Sequence, residues 1–118
     1  MASITEMKIY LDSTVLTQIE SFCRRWQVLE LAVFGSALRD DFGPESDVDF
    51  LVTFSPDADW GLLDHVQMTM DLKAIFKKEV DLITRRGLER SSNWLRRNGI
   101  LESAQLIYDE GGIIHASR

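Results

Sequence analysis

Three short apolar runs limit what this chain can become: Val28–Phe34, Val48–Phe54 and Glu79–Thr84. Each is too short for a packed helix and is rich in branched and aromatic residues, so each reads as a strand. Turn signals bound them, with Gly35-Ser36 after the first and Ser55-Pro56-Asp57 after the second. The stretches between follow a helical period. From Asp12 to Trp26, residues Val15, Leu16, Ile19, Phe22, Cys23 and Trp26 fall on one face, with Asp12 or Ser13 as cap and Arg24 and Arg25 near the end. Trp60 to Lys77 predicts a second helix. Its stripe of Leu63, Val66, Met70 and Ala74 is extended by Met68, Leu72, Ile75 and Phe76, a surface wide enough to need more than one covering neighbour. Arg90 to Ser103 predicts a third helix, packed through Trp94, Leu95 and Leu101 and weakened by Gly99, and Gln105–Tyr108 a last short strand. Helices alternating with strands make an α/β or α+β domain.

A chain of 118 residues fits one such domain, expected over residues 1–112, with Gly111-Gly112 closing it and residues 113–118 as a flexible tail. Cys23 is the only cysteine, which excludes an internal disulfide, and its place on an apolar helix face reads as a small buried hydrophobe. The net charge of −6 argues against a large nucleic-acid surface, which needs clustered Lys and Arg, and suits either a basic protein partner or simply a chain kept soluble by its charge. No apolar run approaches the roughly 20 residues of a membrane helix. Residues Met1 to Lys8 lack a secretory pattern, so the expected location is the cytoplasm.

The chemistry lies in the acids. Asp47 and Asp49 are two apart at the start of a strand and project from one face, while Val48, Phe50, Val52 and Phe54 point to the other, into the core. Adjacent carboxylates repel unless a cation lies between them, and hard oxygen ligands at this spacing suit Mg²⁺. Taken alone, the pair reads more simply as a turn cap and a solvated strand residue. Asp81 shifts that balance. It lies between Val80, Leu82 and Ile83 in a strand expected to be buried, where an unpaired acid is costly. Beside Asp47 and Asp49 it would complete a cluster able to support two metals about 3.5–4 Å apart; the plainer reading is an edge-strand acid facing water.

Gly35-Ser36 adds a turn whose backbone can approach a phosphate and whose hydroxyl and N–H groups can bond its oxygens, and Arg39 could reach phosphate across it or be a plain surface arginine. No Gly-Lys-Ser/Thr follows, so it is not a P-loop. Other chemistries fit less well. His65 and His115 have no partner at metal-ligand spacing, a serine nucleophile elbow is missing, and Trp26, Trp60 and Trp94 are scattered as packing residues.

Gly35-Ser36, ten residues, Asp47-Val48-Asp49-Phe50 and then the separate Asp81 resemble the signature of the DNA polymerase beta-like nucleotidyltransferases, more narrowly the minimal nucleotidyltransferases, or MNT proteins. Arg39 matches the arginine that commonly follows the Gly-Ser. Leu62-Leu63-Asp64 through Val80–Thr84 resembles the family's middle section, and Gly99-Ile100-Leu101 to Ile107-Tyr108 its end, so the likeness spans about Thr14 to Glu110. The resemblance implies a small mixed sheet with helices against it. It implies Asp47 and Asp49 as Mg²⁺ ligands, Asp81 as a third ligand that helps activate the acceptor hydroxyl, and Gly35, Ser36 and Arg39 at the triphosphate. ATP would be the substrate and Mg²⁺ the cofactor, with two ions.

Many MNT proteins are antitoxins paired with HEPN ribonuclease toxins, some adding AMP to a toxin tyrosine, so the implied partner is a HEPN toxin in a hetero-oligomer, with no direct nucleic-acid or membrane contact. Ala37 stands where the family often has arginine and Asp40 where it often has glycine, which makes this turn less basic. Two alternatives follow: an antitoxin that acts by binding alone, and, ranked last, a small-molecule nucleotidyltransferase of the antibiotic-modifying kind, which would need a further domain or a dimer.

Overall fold

The computed structural model describes residues 12–35 and 47–114. The order is α1 (Ser13–Arg25), β1 (Val28–Phe34), β2 (Val48–Phe54), α2 (Leu62–Phe76), β3 (Val80–Thr84), α3 (Arg85–Glu89), α4 (Trp94–Ser103), β4 (Gln105–Asp109) and β5 (Gly112–Ile113). The strands form one sheet in the order β3-β2-β1-β4-β5. Among the described strands, β2 and β3 alone run parallel; β1–β2, β1–β4 and β4–β5 are antiparallel. The single parallel pair follows from the chain order, because α2 is the crossover between β2 and β3 and carries the chain back to the same end of the sheet.

Local signals explain the helix starts. The Asp12 carboxylate accepts from the Val15 N–H at 2.8 Å and caps α1. At α2 the Asp64 carboxylate reaches back to the Gly61 N–H at 3.0 Å. The short α3 lies outside the helix expected from Arg90: Thr84 ends β3 and caps α3 with its hydroxyl, accepting from Gly87 N–H at 2.9 Å. Asn93 then caps α4, accepting from Arg96 N–H at 3.1 Å, so the third long helix starts at Trp94.

The sheet has an apolar layer on each face. On one, α1 and α2 bury Ile19, Phe22, Cys23, Met68 and Leu72 against Val33, Val48, Phe50 and Val52. Phe50 is fully buried and packs on Phe76, ring centroids 5.1 Å apart. Cys23 is buried as expected, and desolvation, with Glu20 adding to it, pushes its thiol far above the ordinary range. On the other face, Ala32, Phe34 and Leu51 pack against Leu88 and Ile100. A register shift between Val28 and Glu30 lets both Val28 and Leu31 join the first layer although they are three positions apart.

Three expectations are corrected. Trp94 and Leu95 are exposed, at 58% and 68%, because α4 presents Ile100, Leu101 and the following Ala104 to the sheet and its first turn faces away. The helix α2 is covered on one side only: Met68 and Leu72 are buried, but Leu62, Leu63, Val66 and Met70 are exposed. The paired chain also runs past Gly112, since Ile113 pairs with Tyr108 and the Ile114 N–H donates to Ile107 O at 3.1 Å. Residues 115–118 lie outside the described residues.

Gly99 sits inside α4 where an added Cβ would meet nothing within 4 Å. Gly99→Ala should therefore stabilise the fold by about 0.5–1 kcal/mol through the lower helix entropy cost of alanine, seen as a higher midpoint in thermal or urea unfolding.

Candidate functional site

Four of the singled-out residues reach one end of the sheet through strand order and register. β1 arrives there with Phe34-Gly35, β2 departs from it with Asp47-Val48-Asp49, and β3 starts beside β2 with Val80-Asp81. The antiparallel register sets Phe34 opposite Asp49, and the parallel register sets Asp49 opposite Asp81. The Val48 N–H donates to Glu79 O at 3.0 Å, which fixes that register at its first rung.

Which face the acids use follows from their neighbours. Phe50 and its partner Leu82 are buried in the layer under α1 and α2. Leu51 and its partner Ile83 belong to the layer under α3 and α4. Side chains alternate along a strand, so Asp49 and Asp81 lie with Leu51 and Ile83 on that second face. Asp47, two residues before Asp49, immediately precedes the strand.

Burial separates the three. Asp49 is half-buried; Asp47 and Asp81 are exposed. The expectation of a buried strand around Asp81 is not met, because β3 is an edge strand of the sheet. What places Asp81 at the site is its register with Asp49. Among the described residues, no three His, Cys, Asp or Glu side chains close on a common point as a metal-binding group. The described arrangement is an in-register pair of acids with a third at the mouth of β2.

Gly35 is bound into this end by geometry. Its φ is +73°, a left-handed conformation, and a Cβ built on it would fall on Asp49 Oδ2. The glycine lets the β1 backbone turn directly over the Asp49 carboxylate. Its expected role was close approach to a phosphate; close approach to Asp49 is a contact that the residue spacing does not reveal. Ser36 and Arg39, with Ala37 and Asp40, lie outside the described residues.

A cavity of about 400 Å³ lies at the other end of β2 and β3, lined by Phe54, Trp60, His65, Thr84, Arg85 and Glu89 among others. It is remote from the acids, since it meets β2 and β3 at their C-terminal ends. Some of its polar groups are engaged: Arg85 pairs with Glu89 at 3.1 Å, and Trp60 Nε1 donates to Trp26 O at 2.9 Å. The acid end holds the residues with chemical potential.

Residues 16–107 match the family model of the nucleotidyltransferase domain. Among curated proteins, none matches in sequence. Solved structures share the fold. One, a toxin–antitoxin with AMP-PNP, aligns at 17% identity and TM-score 0.61 over 79% of this chain and 72% of its own. A candidate minimal nucleotidyltransferase aligns at 29% identity and TM-score 0.60, over 79% of this chain and 88% of that one. A third is a tri-AMPylated HEPN toxin of Shewanella oneidensis in complex with its MNT antitoxin, at 16% identity and TM-score 0.58, over 86% of this chain and 75% of that one.

Gly35→Ala should lower stability by about 1–2 kcal/mol, the usual penalty for a side chain in the left-handed region, and more if the Asp49 carboxylate cannot move aside. Adding Asp49→Ala should recover only the part due to the collision. A double-mutant cycle read by urea unfolding separates the two, and strict additivity would show that the Gly35–Asp49 contact does not matter.

Proposed function

Because this chain belongs to the nucleotidyltransferase-domain family, we propose that it transfers AMP from Mg-ATP to a hydroxyl of a protein partner, a tyrosine of a cognate HEPN ribonuclease toxin, and so neutralises it. The observation that carries this reading is the in-register pair Asp49 and Asp81 beside the glycine turn at Gly35, with Asp47 at the mouth of the same strand. The AMPylated toxin in the Shewanella oneidensis complex supports the choice of acceptor by fold analogy.

The donor set is all carboxylate oxygen, which fits Mg²⁺, a hard cation that keeps water and phosphate oxygens in its shell. Asp47 and Asp49 would hold the ion that meets the triphosphate, and Asp81 would stand on the acceptor side. Bound Mg²⁺ would neutralise charge on the phosphates and on the leaving group. The acceptor oxygen forms a bond to the α-phosphorus, the bond from that phosphorus to the bridging oxygen breaks, and pyrophosphate leaves. Asp81, exposed on the edge strand, would take the hydroxyl proton of the incoming side chain. Gly35, with Ser36 and Arg39 after it, would cradle the triphosphate from the β1 side. Positioning and charge stabilisation carry most of the rate in such a transfer.

The partner toxin incubated with this protein and Mg-ATP should gain the mass of AMP, with release of pyrophosphate. Asp49→Asn should reduce the rate at least about 100-fold, in the range set by loss of a charge-stabilising group at the reacting phosphate. Asp81→Asn should lower turnover more than nucleotide affinity. A complex that forms and shows no adduct by mass spectrometry overturns the proposal. If folded Asp47→Asn/Asp49→Asn still protects cells, protection comes from binding alone.

A further inference from the structure

The helix α2 has two apolar faces and only one core. Met68 and Leu72 are fully buried under it, while Leu62, Leu63, Val66 and Met70 stand at 79%, 84%, 47% and 57% exposure on the far side. Those four fall at i, i+1, i+4 and i+8, one continuous stripe. Leu63, Val66 and Met70 have the three-then-four spacing of a helix–helix seam. The exposed apolar area is on the order of 400 Å² per copy, about as much as a monomer normally leaves bare in one patch.

Charge differs between the two ends of the helix. Asp57 and Asp59, both exposed, precede its N-terminal end, and exposed Lys77 follows Phe76 at the other. Lys73, one turn earlier, already pairs with Glu79 at 3.1 Å. A surface that is acidic at one end and basic at the other is complementary to itself when turned through 180°.

We propose that this stripe is an isologous homodimer interface in which α2 packs antiparallel on α2 of a second copy. Val66 and Met70 lie nearest the two-fold axis, and Leu62 and Leu63 of each chain cover Met70 and Ala74 of the other. Lys77 of each copy then lies over the Asp57–Asp59 end of its partner, and the helix dipoles oppose. The four side chains of two copies would bury roughly 800 Å² before any rim residue counts, less than the roughly 1,000–1,200 Å² at which stable specific interfaces begin, so the dimer is weak and concentration-dependent. The carboxylates lie on the opposite face of the sheet, so the dimer does not cover them. The proposal is independent of the transferase reading and is tested without nucleotide.

Sedimentation velocity or light scattering on the full chain should show a monomer–dimer equilibrium between roughly 1 and 200 µM. Leu63→Glu and Met70→Glu, both at exposed positions, should weaken it at least tenfold without lowering the thermal midpoint measured on dilute monomer. Asp59→Lys and Lys77→Asp should each weaken self-association, and mixing the two should restore a heterodimer, because each new lysine then meets a new aspartate. A chain that stays monomeric across the range overturns the proposal, and so does a dimer indifferent to Leu63→Glu and Met70→Glu. Protection of the stripe from hydrogen exchange only when a different protein is bound would also overturn it, assigning the face to that protein.

Discussion

The pairing of β2 with both of its neighbours holds the molecule and its site in one arrangement. Side chains alternate along β2, so Val48, Phe50 and Val52 enter the core under α1 and α2 while Asp49 and Leu51 face the other layer. A slip of one residue against β1 or β3 would send Phe50 toward the second layer and a carboxylate into the first. Burial of Phe50 and its neighbours is therefore what keeps Asp49 over Gly35 and beside Asp81. The core layer is in this sense part of the site.

The helices reinforce that register from the far side. The Trp26 indole donates to Asp71 Oδ2 at 3.0 Å, and Asp71 also accepts from Gln67 at 2.8 Å and lies 3.7 Å from Arg25. Trp60 stacks edge-on against Trp26, centroids 5.1 Å apart, and bonds its backbone carbonyl. These contacts join the end of α1 to the approach to α2 and to α2 itself. They hold the crossover that makes β3 parallel to β2, and so bear on where Asp81 begins its strand.

The differences between the sequence reading and the structure share a cause. The period of α2 shows apolar residues around most of the helix, but a period does not say how many layers exist to cover them; here one face meets the sheet and the other meets solvent. Trp94 and Leu95 suit packing by type, yet the orientation of α4 is set by Ile100 and by Ala104 leading into β4. Asp81 is flanked by apolar residues, which suggests depth, but β3 is an edge strand and burial at an edge depends on topology. The short α3 escapes a periodicity argument because five residues are barely more than one turn, although the Thr84 cap is a readable sign of it.

Local chemistry and period were enough, from the sequence alone, to place the four main strands, the two long N-terminal helices and the buried Cys23. The alternation along β2 likewise assigned Phe50 to the core and the acids to the other face, since each of these depends on residues near in the chain. Tertiary structure alone decided what depends on residues far apart: that Asp49 and Asp81 share a rung, that Gly35 folds over the Asp49 carboxylate, that β3 lies at an edge of the described sheet, and that one stripe of α2 is exposed. Strand order and register are settled by the simultaneous burial of both sheet faces, a many-body condition that no single segment carries.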